Sequence, residues 1–158
     1  MRLKNKVALI TGGGSGIGRS TALRFAKEGA SLVISDTSKE AVKKTADEVK
    51  LCGGEVSESI GDVTISNDTE HMVQTAVKNY GKLDILINSA GITARNAFTT
   101  NETLEKTWDR VIAVNLKGTY LVSSHAIPEM QRVGKGAIVN LASIFGLVGY
   151  HQTTVGQE

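Results

Sequence analysis

The chain has 158 residues, 41% of them hydrophobic and 22% charged, with a formal net charge of +2. That length suits one domain with a sizeable core, and the composition is that of a globular chain, not a disordered or membrane-spanning one. The small, dispersed positive balance implies no nucleic acid and no membrane among its partners. The single cysteine, Cys52, excludes an internal disulfide and permits a reducing compartment, with the cytoplasm as the default.

Arg2, Lys4 and Lys6 precede an apolar run that stops at Ile10, too short for a secretory core and far too short to span a bilayer. Val7-Ala8-Leu9-Ile10 reads as a strand buried on both faces. Five glycines crowd positions 12–18 directly after it, as suits backbone that something approaches closely. Gly18, Ala22, Phe25, Ala26 and Gly29 then recur at helical spacing, so a helix starts at the loop and lays a small-residue face on the sheet. Amides at such a start lack intrahelical partners and carry the positive end of the dipole, which suits a pyrophosphate.

A second strand follows at residues 32–35. Thr37 and Glu40 have capping-box spacing for the next helix, whose buried stripe is Val42, Ala46 and Val49 and whose end is Gly53-Gly54. A weaker strand at 55–60 leads to Gly61-Asp62-Val63-Thr64, then a third helix carrying Val73, Ala76, Val77 and Tyr80 and closed by Gly81. The fourth strand is Leu83-Asp84-Ile85-Leu86-Ile87. A polar loop runs on to Asn101, and one long helical region then extends to Met130 past Pro128, with Leu104, Trp108, Val111 and Ile112 on one face and Trp108 expected in the core. A fifth strand spans 137–142, and the pattern stops after Ser143. Strands alternating with helices predict the α/β class, a doubly wound, Rossmann-like parallel sheet of five strands with its C-terminal part incomplete. The expected division is a dinucleotide-binding domain over residues 1–149 and an irregular tail over 150–158.

Asp36 stands directly after the second strand, 18 residues beyond Gly18, where a dinucleotide fold places the acid that accepts hydrogen bonds from a ribose. A turn aspartate or helix cap is the plainer alternative. A carboxylate there repels a 2′-phosphate, and neither Ser15 nor Thr37 offers a compensating cation, so NAD is favoured and NADP disfavoured. His71, His125 and His151 have no ligand spacing with Cys52 or with one another, so no metal site is read.

The usual G-x-G-x-x-G is replaced by T-G-x-x-x-G-x-G, with Gly12, Gly16 and Gly18, and this spacing resembles the short-chain dehydrogenase/reductase family. The likeness reaches nearly to Gly149 and lies nearest the 3-oxoacyl-carrier-protein reductases. Gly61-Asp62-Val63-Thr64 resembles the family's adenine-contacting segment. Asn88-Ser89-Ala90-Gly91 is similar to N-N-A-G, with Ser89 replacing the second asparagine. Val114-Asn115-Leu116-Lys117-Gly118 is similar to the helix segment bearing a catalytic asparagine, and Ile138-Val139-Asn140-Leu141-Ala142-Ser143 to the strand delivering a catalytic serine. Taken singly, Asp62 could be a helix cap, Asn88 a turn residue, Asn115 a solvated helix position and Ser143 a strand end.

The resemblance implies an oxidoreductase that interconverts a hydroxyl and a carbonyl on a small-molecule alcohol or carbonyl substrate, and a homo-oligomer in full-length form. It implies catalytic roles for Ser143 and Asn115 and cofactor contacts from Gly12, Ser15, Gly16, Ile17, Gly18, Asp36, Asp62, Val63, Asn88, Ala90 and Gly91. It also implies a tyrosine proton donor with a lysine four residues later, yet Gly156 stands where the tyrosine is expected. Tyr-x-x-x-Lys occurs nowhere, Tyr150 has Thr154 as its fourth successor, and the last lysine is Lys135. The sequence therefore reads as a truncated or frameshifted form or a fragment of such an enzyme. A non-catalytic NAD-binding protein acting through a partner is the alternative.

Overall fold

The computed structural model describes residues 1–93 and 103–148. Five strands, β1 (Val7–Thr11), β2 (Ser31–Asp36), β3 (Val56–Ile60), β4 (Ile85–Asn88) and β5 (Ala137–Asn140), form one sheet in the order β3-β2-β1-β4-β5. Every neighbouring pair is parallel. The helices are α1 (Gly16–Lys27), α2 (Lys39–Leu51), α3 (Ser66–Tyr80), α4 (Leu104–Ile112) and α5 (Thr119–Arg132).

Alternation along the strands decides which helix goes where, because successive side chains point to opposite faces. Ala8, Ile10, Leu32, Ile34 and Ile87 form one cluster with Ala22 and Ala26 of α1 and Val42 and Val49 of α2. Val7, Leu9, Val33 and Leu86 form the other with Met72, Val73 and Ala76 of α3 and Val122, Ala126 and Met130 of α5. The sheet is thus covered on both faces at its centre, the doubly wound arrangement expected of the apolar runs in β1, β2 and β4. β5 is one edge, and Val139 is half exposed there. The proposed 150–158 tail, with Tyr150 and His151, lies outside the described residues, as does the boundary at 149.

Three local expectations need correction. The cap of α2 is Ser38, whose hydroxyl accepts the Ala41 N–H at 3.3 Å, so Thr37 is not the capping residue. The helical region from Leu104 is not one uniform helix: a π-helical turn, Ala113–Gly118, separates α4 from α5. Trp108 is not in the core but 66% exposed, as Leu104 is at 80%. The inward stripe is instead Thr107, Gly118, Val122, Ala126 and Met130, small or slender side chains that let this segment lie close. Gly118 sits against Val63, 2.6 Å from where its Cβ would be to the Val63 methyl, so the larger apolar groups face outward.

Asp84 fastens the N-terminal end of the sheet. Its Oδ2 accepts the Val7 N–H at 2.9 Å and lies 2.9 Å from the Lys82 ammonium, while Oδ1 lies 3.3 Å from that of Lys6. Its own N–H donates to Val7 O and its carbonyl accepts from Ala137 N, so one residue joins β1, β4 and β5. Burial works against the charge, but Lys82, the Val7 amide and Lys6 outweigh it and hold the carboxyl below the usual aspartate range. A carboxyl with a lowered folded pKa contributes stability above its unfolded value of about 3.9 and loses it as pH falls through the folded value. Asp84→Asn should therefore be about 1–3 kcal/mol less stable than wild type in urea near neutral pH, the gap narrowing below about pH 4. A gap that does not change with pH would contradict this role.

Candidate functional site

All five strands point the same way, so their C-terminal ends share one edge of the sheet. Ser59, Ser35, Thr11, Asn88 and Asn140 stand in register across it, one from each strand. The first four are buried, so an apolar sheet ends in a polar row. Beyond it the chain leaves β1 towards β2 on one side, while β4 lies on the other. A crevice opens at this change of direction, the place where open α/β sheets bind ligands.

Thr11 ties the two walls. Its hydroxyl accepts the N–H groups of Ser89 and Ala90, each at 3.2 Å, so the loop after β4 is held against the loop after β1. Gly12 makes that approach feasible: its φ is +62°, and a Cβ would stand 2.8 Å from the Ala90 backbone. The cleft holds about 630 Å3. Gly12, Ser15, Gly16 and Ile17 line it from the first loop, Asp36 from the end of β2, Asp62 and Val63 from beyond β3, and Ala90 and Gly91 from beyond β4.

Ser15 opens α1 in extended conformation, with no side-chain cap and no acidic residue in the first turn. The unpaired amides and the positive dipole end of α1 therefore stand in the cleft wall. Asp36 accepts the Gly14 N–H at 3.2 Å through Oδ2 and the Ser38 N–H at 3.2 Å through Oδ1. A carboxylate has about four acceptor positions, so capacity is left for a ligand hydroxyl. Asp62 turns its Oδ1 to the Thr64 N–H at 2.8 Å and donates its own N–H to Asp68, closing the loop after β3.

The other expected residues lie elsewhere. Gly18 is buried behind the loop, packed on the Gly12 carbonyl. Asn88 is buried below the cleft, donating to Asn140 Oδ1 at 2.8 Å and Ser123 Oγ at 3.1 Å, with its Oδ1 unpaired among the described residues. Asn115 uses both ends of its amide on one neighbour: Oδ1 accepts the Ile92 N–H at 2.9 Å and Nδ2 donates to Ile92 O at 2.8 Å. Ser143 is exposed just past β5, its carbonyl accepting the Gly146 N–H at the start of a 3₁₀ turn, Ile144–Gly146. Neither Asn115 nor Ser143 is among the residues lining the cleft.

Sequence reasoning missed Ser35 and Thr37, which flank Asp36 in the lining, and Arg110 and Val114, which reach it from the α4 region. The first pair was within reach, since both adjoin a residue already singled out. The second depends on the path of a distant helix.

A helix start that favours anions and a carboxylate with acceptor capacity left thus meet at a strand-order reversal of an α/β sheet, the place where such sheets take ligands. The chain belongs to the short chain dehydrogenase family, whose pattern it matches over residues 6–155. It is 44% identical over 149 residues to an uncharacterized oxidoreductase of Thermotoga maritima and 42% identical over 149 to the 3-oxoacyl-[acyl-carrier-protein] reductase of that organism. It is 42% identical over 148 residues to a cyclohexanol dehydrogenase of an Acinetobacter species. These alignments cover 94% of this chain but 58%, 60% and 59% of those proteins, so the chain spans about three-fifths of their length. Among solved structures it superposes on NAD+-bound xylitol dehydrogenase with a TM-score of 0.87 at 33% identity, covering 95% of this chain and 57% of that one.

Asn115→Ala removes both bonds that hold Ile92. The Ile92 amide should then exchange with solvent about tenfold faster or less, the scale of one net hydrogen bond. Unchanged protection at Ile92 would show that the amide clamp holds nothing.

Proposed function

We propose that this chain carries the cofactor half of an NAD-dependent oxidoreductase interconverting a hydroxyl and a carbonyl on a small molecule. The observation that carries the reading is the uncapped start of α1 sharing a cleft with Asp36. The first-turn amides would hold a pyrophosphate, and Asp36 would accept from the adenosine ribose. NAD bound there would supply the hydride chemistry.

Preference for NAD over NADP is supported by the surroundings of Asp36, where Ser15 and Thr37 are neutral. Arg110, the cation among the described lining residues, comes from α4 and not from the glycine loop or the end of β2. Asn115 acts in this reading by fixing the Ile92 backbone beside the cleft, and Ser143 by presenting a hydroxyl beyond β5. Asn88 and Gly18 serve the cofactor indirectly, by holding the cleft floor and the loop.

Assembly between copies is proposed through the outward face of α4, the π-turn and α5, where Leu104, Trp108, Leu116 and Tyr120 are each more than 60% exposed. Large apolar groups gathered this way mark an interaction surface.

A second reading, an NAD-binding chain without turnover of its own, is favoured by the lack of any Tyr-x-x-x-Lys in the 158 residues. General acid–base assistance contributes roughly 10²–10⁴-fold, and neither a serine hydroxyl nor an asparagine amide supplies it near neutral pH.

Calorimetric titration should show NAD bound more tightly than NADP, with Asp36→Ala weakening NAD by about tenfold or more and narrowing the difference. Equal or tighter binding of NADP would overturn the preference. Followed at the NADH absorbance band over a panel of secondary alcohols and ketones, the 158-residue chain should give only trace turnover. Robust turnover lost in Tyr150→Phe would instead make Tyr150 the acid.

A further inference from the structure

The glycine loop is held from a side that the sequence pattern does not show. Gly14 is buried at its outer arc, and its two backbone groups go in different directions. Its N–H donates to Asp36 Oδ2, while its carbonyl accepts the hydroxyl of Thr45 on α2 at 3.3 Å. Thr45 is fully buried, so no water stands in for that hydroxyl. The fit is close: a Cβ on Gly14 would lie 2.7 Å from that of Ala41 and 3.0 Å from Asp36 Oδ2. One turn beyond Thr45, Glu48 pairs with Arg19, the residue after Gly18 in the first turn of α1. Helix α2 thus grips the loop at Gly14 and the helix behind it at Arg19.

We infer that Thr45 is a positioning residue for the cofactor cleft, acting through Gly14 to set the orientation of Asp36. The inference rests on the proposed cofactor reading and deepens it. A peptide unit is planar, but the Gly14 N–H and C=O belong to adjoining units joined at one flexible glycine. With the carbonyl held, the N–H can turn away from Asp36 only by rotation at Gly14 itself, and the close packing of that residue on Ala41 and Asp36 resists it. Without the Thr45 hydroxyl, a buried carbonyl loses its donor and the loop relaxes to find another. Asp36 then loses the amide that holds its Oδ2 towards the loop and is held through Oδ1 alone, by the Ser38 N–H and the Thr37 hydroxyl, so the group that accepts from a ribose and repels a 2′-phosphate is free to turn about that anchor.

The test compares NAD and NADP affinities of the 158-residue chain, by calorimetry, in wild type, Thr45→Val and Thr45→Ser. Thr45→Val keeps shape and burial but lacks the hydroxyl, and should bind NAD about tenfold more weakly while NADP affinity changes less, so that the NAD-to-NADP ratio falls. Thr45→Ser restores the donor and should return the ratio close to wild type. An unchanged ratio in Thr45→Val overturns the inference, whether both affinities hold or both fall by one factor, because simple loosening weakens the two cofactors alike. Should Thr45→Val not fold, Thr45→Ala, which also lacks the hydroxyl, takes its place: a fallen ratio there, restored in Thr45→Ser, supports the inference, and an unchanged one overturns it. A wild type that binds neither cofactor, or shows no preference, overturns the cofactor reading itself and this inference with it.

Discussion

The contact on which the site depends is the Thr11 hydroxyl accepting two backbone amides from across the sheet, those of Ser89 and Ala90. At the end of a parallel strand the backbone runs out of ladder partners just where two loops must diverge. Thr11 supplies the missing acceptor for the loop after β4, and Gly12 next to it lets the two backbones close to van der Waals distance. The crevice keeps its width because both loops are anchored to one residue of β1, the central strand.

Around that anchor the charges are placed by elements far apart in sequence. The helix start brings unpaired amides from positions just after β1, and Asp36 arrives from the end of β2. Neither would be useful if mobile, so both are restrained. Gly13 N bonds to Ser35 O, Gly14 N to Asp36, and Ser38 N to the other carboxylate oxygen. The site is thus organised before any ligand arrives, which lowers the ordering cost of binding. At the far end of the strands Asp84 has the matching task, joining β1, β4 and β5 through its backbone and carboxylate.

The strands and the glycine loop were legible in the sequence because their signals are local: an apolar run, a glycine cluster, an acid at a fixed distance. The walls given by Gly12 and Asp36 followed from those signals, while Asp62 and Ala90 came from the likeness of their segments to the short-chain dehydrogenases. What was not legible depends on partners distant in the chain. Trp108 looked like a core residue because an apolar stripe was assumed to face inward, yet Gly118 and Ala126 give the narrower face that the sheet side accepts. Thr37 has the spacing of a cap, but Ser38 is the residue whose hydroxyl meets the helix start. Asn88 looked like a ligand contact, and its buried bonds to Asn140 and Ser123 are made to residues 52 and 35 positions away.

The most direct test of the account is a titration of the nitrogen-15-labelled chain with NAD, following every backbone amide by NMR. The account predicts saturable shifts concentrated at residues 12–17, 36–37, 62–64 and 90–92, with the outward amides around Leu104 and Trp108 unmoved. Saturable shifts centred on that outward face, or no saturable shift at the glycine loop, would contradict the assignment of the cleft as the dinucleotide site.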